Sequence, residues 1–318
     1  MELPAALKEA LEREAVATPA SLAQSAQDLS LRYRQREAQG GSFLTGGRDA
    51  AAYAASRLPA TYGAALAALR HGAACLPGFE PRTMLDAGCG PGTALWAAAQ
   101  LWPGMLAMTA LERDADMRTL AARLATHGPT PALRQADILP ADLRGPWEAP
   151  HSDLVTACYV INELDSAGAD TLTRRLWEHT KGALLIVEPG TKAGFATVLR
   201  CRDVLRELGA TIAAPCPHAD ICPLAEDWCH FSQRVARSRT HRTVKGAALG
   251  YEDEKYSYVC ATRQTAAPAI RVLRHPQVRK GHIHLSLCTP EGLKEVTLSK
   301  KDSDAYRRAR DLKWGDAF

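Results

Sequence analysis

The chain has 318 residues, and no apolar run in it approaches the ~18 to 20 uninterrupted residues of a membrane helix. A membrane partner is therefore not expected. Internal repeats and low-complexity tracts are also missing, which sets aside solenoids and disordered arrays. No glycine-rich turn is followed by Lys-Ser or Lys-Thr, so a phosphate-binding P-loop is excluded. The opening residues, Met1 to Glu12, are acidic and amphipathic. They match neither a secretory signal nor a transit peptide, and a cytoplasmic address is expected. Net charge is only +4, but it is unevenly placed. Residues 1–230 hold 21 Lys and Arg against 26 Asp and Glu, whereas residues 231–318 hold 18 against 9. A basic C-terminal portion on an acidic body points to a polyanion as partner.

What is present centres on Thr83 to Leu95, which reads as strand, glycine-rich turn and helix start. The pattern is Asp86-x-Gly88-x-Gly90-x-Gly92, with Glu112 ending the next apolar run. Glycines let a ligand lie against the backbone, and a helix N-terminus favours negative groups. An acid about twenty residues on can accept ribose hydroxyls. The glycine spacing is tighter than the dinucleotide G-x-G-x-x-G. It resembles the S-adenosylmethionine (SAM) loop of Rossmann-like methyltransferases. Asp86 is expected to order the loop or to meet the ligand's ammonium through water, Gly88, Gly90 and Gly92 to carry the methionine portion, and Glu112 to take the ribose, with Asp114 as competitor. Asp137 is placed to accept the adenine amino group. Asn162 and Glu163, after the fourth strand, are the candidates for orienting a methyl acceptor. The Asn-Pro-Pro-aromatic tetrad of base-amino methylation is absent there.

The organisation follows from periodicity. Residues 1–75 read as helical, with segments at Leu7–Val16, Leu22–Arg36, Ala50–Arg57 and Thr61–Arg70, broken at Pro59 and Gly63. Residues 76–210 alternate strand and helix, which argues for a parallel, doubly wound sheet. Its strands are expected at Thr83–Ala87, Leu106–Leu111, Ala132–Ala136, Asp153–Val160 and Ala183–Glu188. Residues 211–245 form a Cys-, Pro- and His-rich insertion. Residues 246–318 read as short strands with a basic tail. The fold class is α/β: a Rossmann-like SAM-dependent methyltransferase fold with an N-terminal helical region, a metal-binding insertion and a small C-terminal β module.

Nine cysteines in a chain without a secretory signal favour metal or catalytic use over disulfides. Cys216, Cys222 and Cys229 lie within one short segment, two of them followed by proline. Thiolates crowded in an irregular loop suit a soft metal centre. Four would hold a [4Fe–4S] cluster. Zinc is the alternative, completed by His218, His230 or His241. The fourth thiolate is Cys288 or Cys260. Cys288 ends a strand before a turn and can face a loop, so it is preferred. The Cys-x3-Cys-x2-Cys spacing of radical SAM enzymes is absent.

The glycine loop, the Cys-Pro-His-x3-Cys-Pro-Leu segment, Trp228-Cys-His-Phe-x-Gln-Arg234 and Glu252-Asp-Glu-Lys-Tyr-Ser-Tyr-Val259 occur together. In combination they resemble the ribosomal small-subunit methyltransferase-like family, over about residues 40 to 300. The resemblance implies SAM, a four-cysteine iron–sulfur centre on Cys216, Cys222, Cys229 and Cys288, and a role on small-subunit rRNA during ribosome maturation. It leaves turnover open. A monomer working on the small ribosomal subunit is expected, with the basic tail from Arg271 and Arg274 through Arg310 on phosphates. The rivals are a non-catalytic assembly factor that binds SAM and rRNA, and a small-molecule methyltransferase with a zinc site.

Overall fold

The computed structural model describes residues 1–15, 24–25, 47–224, 226–246 and 248–318. Helix α1 is Ala5–Glu14 and helix α2 is Gly47–Ala74. Most of the expected Leu22–Arg36 helix lies outside the described residues. The expected break at Pro59 does not occur: α2 runs through it as one 28-residue helix. An interior proline costs a helix about 3 kcal/mol. Here Ala54, Leu58, Tyr62, Leu66 and Leu69 are all buried in one cluster, and that burial outweighs the cost. Gly63 serves packing, since a Cβ there would stand 2.5 Å from Val235.

The main sheet begins with β1 (Thr83–Ala87), α3 (Thr93–Leu101), β2 (Ala107–Glu112) and α4 (Ala115–Ala125). A short α5 (Pro131–Arg134) precedes β3 (Asp137–Pro140). Then come β4 (Ser152–Cys158), α6 (Ser166–Glu178), β5 (Thr180–Pro189), α7 (Lys192–Glu207), β6 (Thr211–Ala214) and β7 (Phe231–Ala236). After α8 (Arg239–Lys245), β8 (Tyr251–Thr262) returns to the sheet. The order is β3-β2-β1-β4-β5-β8-β6, with β7 also on β8. Strands β1 to β5 pair in parallel, and β8 is antiparallel to β5, β6 and β7. This is a Rossmann-like sheet closed by an antiparallel strand.

Alternation along the strands sends side chains to two cores. Met84 and Leu185 face a cluster with α1 to α4, whereas Leu85 and Leu184 face one with α6 and α7. A second, antiparallel sheet follows: β9 (Arg271–Val272), β10 (Gln277–Arg279), β11 (His282–Thr289) and β12 (Gly292–Ser299). Helix α9 (Ser303–Ala309) covers it, with Val272, Ile283, Leu285, Leu287 and Ala309 in its core. Among the described residues no helix is long and apolar enough to cross a membrane.

Candidate SAM loop and four-cysteine cavity

The glycine turn lies at the C-terminal edge of the parallel strands, where ligands bind in such sheets. Gly88 and Cys89 donate their amides to Leu111 O at 2.8 and 3.0 Å, which ties the turn to β2. Gly88 has φ +72, and a Cβ there would meet Val160 at 2.5 Å, so only glycine fits. Gly90 has φ +51 with nothing within 4 Å of a Cβ position, leaving open space in front of the loop. Glu112 clips the turn: one oxygen accepts from Gly90 N at 2.9 Å, the other from Asp114 N at 2.8 Å. Burial holds its pKa above the usual carboxylate value, against those two amide bonds. Asp114, the rival for the ribose, accepts from Met117 N and caps α4.

Asp86 is 1% exposed at the end of β1. Thr156 Oγ1 donates to its Oδ1 at 2.7 Å, and Oδ2 is buried without a partner. Burial pushes its pKa up to about 7. It therefore stands beneath the loop, able to hold or release a proton near neutrality.

Asp137 is corrected. The expected strand Ala132–Ala136 is instead the short helix α5 and its exit, capped by Thr130 with Pro131 at its start. Asp137 thus opens β3, exposed and paired in register with Thr109. That is the end of the strand away from the glycine turn. The acid just past the C-terminal end of β3 is Asp142, whose Oδ2 lies 3.9 Å from Arg113.

After β4, Asn162 and Glu163 sit in a single 3-10 turn, Ile161–Glu163. Beside them is Glu188, which the sequence reading missed, although an acid ending the apolar run Ala183 to Val187 was a visible signal. Glu188 is fully buried, and its Oε1 accepts from Ile161 N at 2.8 Å and Asn162 N at 3.3 Å. Burial pushes its pKa from 4.5 up to about 8. The folded chain holds this proton more tightly than the unfolded chain. Its contribution to stability is therefore full below about pH 4.5 and is lost as pH rises through about 8. Glu188→Gln keeps an oxygen for both amides, so thermal melts at pH ~5 and ~8.5 should show a smaller drop than wild type. An unchanged drop would refute the assignment.

Tyr159, also missed, has φ +60, a left-handed conformation uncommon for an aromatic residue. Its amide donates to Val187 O at 2.7 Å and its hydroxyl to Glu254 Oε1 at 3.2 Å. Arg57 of α2 lies 3.4 Å from the same oxygen. These contacts join α2, β4 and β8 at the edge where an acceptor would enter. Backbone strain of this kind carries no sequence signature outside glycine.

The second site is a cavity between α7, β8 and the second sheet. Cys216, Cys222, Cys229 and Cys288 all line it, with His218, Tyr258, Arg202 and Arg271. Cys216 follows β6, Cys229 precedes β7, and Cys288 lies near the end of β11. Cys288 Sγ is 3.8 Å from His218 Nε2. Cys260 is elsewhere: its Sγ would lie 3.0 Å from a Cβ at Gly72, on the α2 side of the sheet. Of the other histidines, His241 Nε2 meets Glu252 Oε1 at 3.1 Å, and His230 stacks on Trp228. Burial, with the other cysteines adding to it, keeps the Cys229 thiol well above its ordinary pKa; the same causes push Cys288 up to about 12. The thiols are thus close enough to repel one another once ionised, and a cation among them would relieve that. Among the described residues the lining holds no carboxylate, a donor set suited to a soft centre. Among the described residues, no three or more His, Cys, Asp or Glu side chains converge as a finished site for a single metal ion.

The basic tail is also partly redrawn. Arg271 is 2% exposed and lines the cysteine cavity, so it is not available to phosphates. Arg274 pairs with Asp227. Arg279, Lys280, Lys300, Lys301, Arg307, Arg308 and Arg310 are exposed.

Known proteins resemble this chain as follows. Residues 47–318 match the family described as mitochondrial small ribosomal subunit Rsm22. A human relative, ribosome assembly protein METTL17, mitochondrial, is 31% identical over 83% of this chain and 61% of its own length. The Rsm22-cox11 tandem protein 2, mitochondrial, of Schizosaccharomyces pombe is 25% identical over 74% of this chain. The chain spans 38% of that relative's length. Among solved structures, an O-methyltransferase family protein from Burkholderia thailandensis aligns with TM-score 0.45 and 15% identity, over 70% of this chain and 61% of that one. The magnesium protoporphyrin IX methyltransferase of Synechocystis aligns with TM-score 0.41 and 15% identity, over 74% and 91%. The names of the relatives overturn the cytoplasmic address expected from the opening residues, for each is called mitochondrial. Matched over residues 47–318, the chain belongs to the mitochondrial small ribosomal subunit Rsm22 family.

Proposed function

We propose that this chain is a SAM-binding, methyltransferase-like protein that works on small-subunit rRNA during ribosome assembly, with a structural [4Fe–4S] cluster. The observation that carries the reading is the glycine turn, clipped by Glu112 at the C-terminal strand edge and open in front of Gly90. Gly88, Gly90 and Gly92 would hold the methionine portion, Glu112 the ribose, and Asp86 the loop from below. Asp142, just past the C-terminal end of β3, would take the adenine role expected of Asp137. Bound SAM would supply an already activated methyl group, leaving the protein to orient and desolvate an acceptor. Asn162 and Tyr159 would line its approach. Cys216, Cys222, Cys229 and Cys288 would hold the cluster, tying the insertion to the second sheet. Zinc, the alternative, would be held by the same four thiolates, or by three of them with His218, which also lines the cavity.

Turnover separates two readings. The human relative is named a ribosome assembly protein, which fits a factor acting in assembly with or without methyl transfer. Small-subunit rRNA from cells lacking the gene decides between them. A methylated nucleotide that disappears supports methyl transfer. An unchanged methylation profile with accumulated small-subunit precursors supports the assembly factor. Mature particles with normal rRNA would sink both.

The exposed cations of β10, α9 and their flanks would contact phosphates. Neutralising Lys300, Lys301, Arg307 and Arg308 together should weaken rRNA binding and flatten its salt dependence by up to about one log unit per log salt for each lost contact. Filter binding across a salt series measures both, and an unaltered slope would move the RNA surface elsewhere.

A further inference from the structure

We propose that Arg202 and Arg271 are the counter-charges of the four-cysteine cavity, positioning residues that retain the cluster and raise its reduction potential. This rests on the cluster reading above. Both guanidinium groups line the cavity, and both are out of solvent: the Arg202 side chain is 3% exposed and Arg271 is 2% exposed. A buried guanidinium without a counter-charge is strongly unfavourable. Yet Arg271 forms no ion pair among the described residues. Its Nε donates to Pro215 O at 3.3 Å, its Nη1 to Gly315 O at 2.9 Å, and its Nη2 lies 3.6 Å from Cys75 Sγ. Arg202 has one acidic neighbour, Asp203 at 3.3 Å, whose side chain is half exposed. Its Nη2 donates to His218 O and Asp220 O at 3.2 and 2.6 Å, and its Nε is buried without a partner.

The two side chains therefore brace the loop that carries Cys216 and Cys222, while Arg271 has no carboxylate against it among the described residues and Arg202 has only the half-exposed Asp203. Four thiolates around a doubly positive cubane leave two negative charges, which two guanidiniums balance. Reduction adds one more negative charge, which the same cations favour. Polar hydrogen bonding alone would not require arginine at both positions.

The test uses the full chain, reconstituted anaerobically with iron and sulfide, as wild type, Arg202→Gln, Arg271→Gln, Arg202→Lys and Arg271→Lys. Circular dichroism reports folding, and iron and sulfide analysis reports loading. A redox titration gives the potential, and a ferrous chelator gives the cluster lifetime. The glutamine variants should show a lower potential and lose the cluster several-fold faster, while the lysine variants stay near wild type. Glutamine variants that fail to fold beside lysine variants that fold and load would support the same requirement for charge. Folded glutamine variants with the wild-type potential and lifetime would overturn the proposal while leaving the cluster standing. Lysine variants as damaged as the glutamine ones would also overturn it, since the fork rather than the charge would then matter. A wild-type chain that takes up neither iron nor sulfide would remove the cluster reading itself.

Discussion

Cys288→Ser should reduce the anaerobically purified protein from about four iron and four sulfide per chain to less than about one of each. Cys260→Ser should leave both near the wild-type level. The contrast follows from placement. Cys288 lines the cavity with Cys216, Cys222 and Cys229, whereas Cys260 packs toward Gly72 across the sheet. The visible absorption of the cluster should disappear with Cys288 and survive with Cys260. Loss with both, or with Cys260 alone, would assign the fourth ligand differently. One zinc per chain with no sulfide would replace the cluster by a zinc site and bring the small-molecule methyltransferase back into consideration.

The second large effect is expected at Glu112. Glu112→Ala removes two charge-assisted acceptor bonds, to Gly90 N and Asp114 N, and with them the group proposed to take the ribose. Bonds to a charged group are worth about 1.5–3 kcal/mol each. SAM affinity should therefore fall by at least about a hundredfold, a change of roughly 2.7 kcal/mol. Glu112→Gln should fall less, because its amide oxygen still accepts one of the two amides. Isothermal titration with SAM, compared with S-adenosylhomocysteine, reads the effect without requiring turnover. Wild-type affinity in the alanine variant would mean that this loop is a structural turn and nothing more.

What was legible of the proposed SAM loop is its local geometry. Asp86, Gly88, Gly90, Gly92 and Glu112 follow from a strand, a turn with positive φ and the next strand end, and each leaves a mark in the sequence. Asp137 lies at the opposite end of its strand because Thr130 caps and Pro131 opens a helix that runs into the expected strand Ala132–Ala136. Pro59 misled in the opposite direction, since burial on both sides of α2 overrides a local penalty. Arg271 could not be read correctly from its neighbours. Its place in a basic tail suggested the surface, and only the packing of β9 against the cysteine loop puts it inside. Tyr159 and Glu254 meet across residues far apart in the chain.

The strand order has a further consequence for how the chain is made. β5 finds its outer neighbour only in β8, and β6 pairs with β8 alone. The insertion that carries Cys216, Cys222 and Cys229 is synthesised between them. At about 5–20 residues per second, β5 must wait several seconds for the strand that covers its edge. Its residues Leu184, Leu185, Ile186 and Val187 are all buried in the finished protein. An unpaired apolar edge of this kind is a template for wrong pairing with another chain. Nascent chains halted before residue 251 should therefore aggregate or hold a chaperone, while those extended past residue 262 should be released.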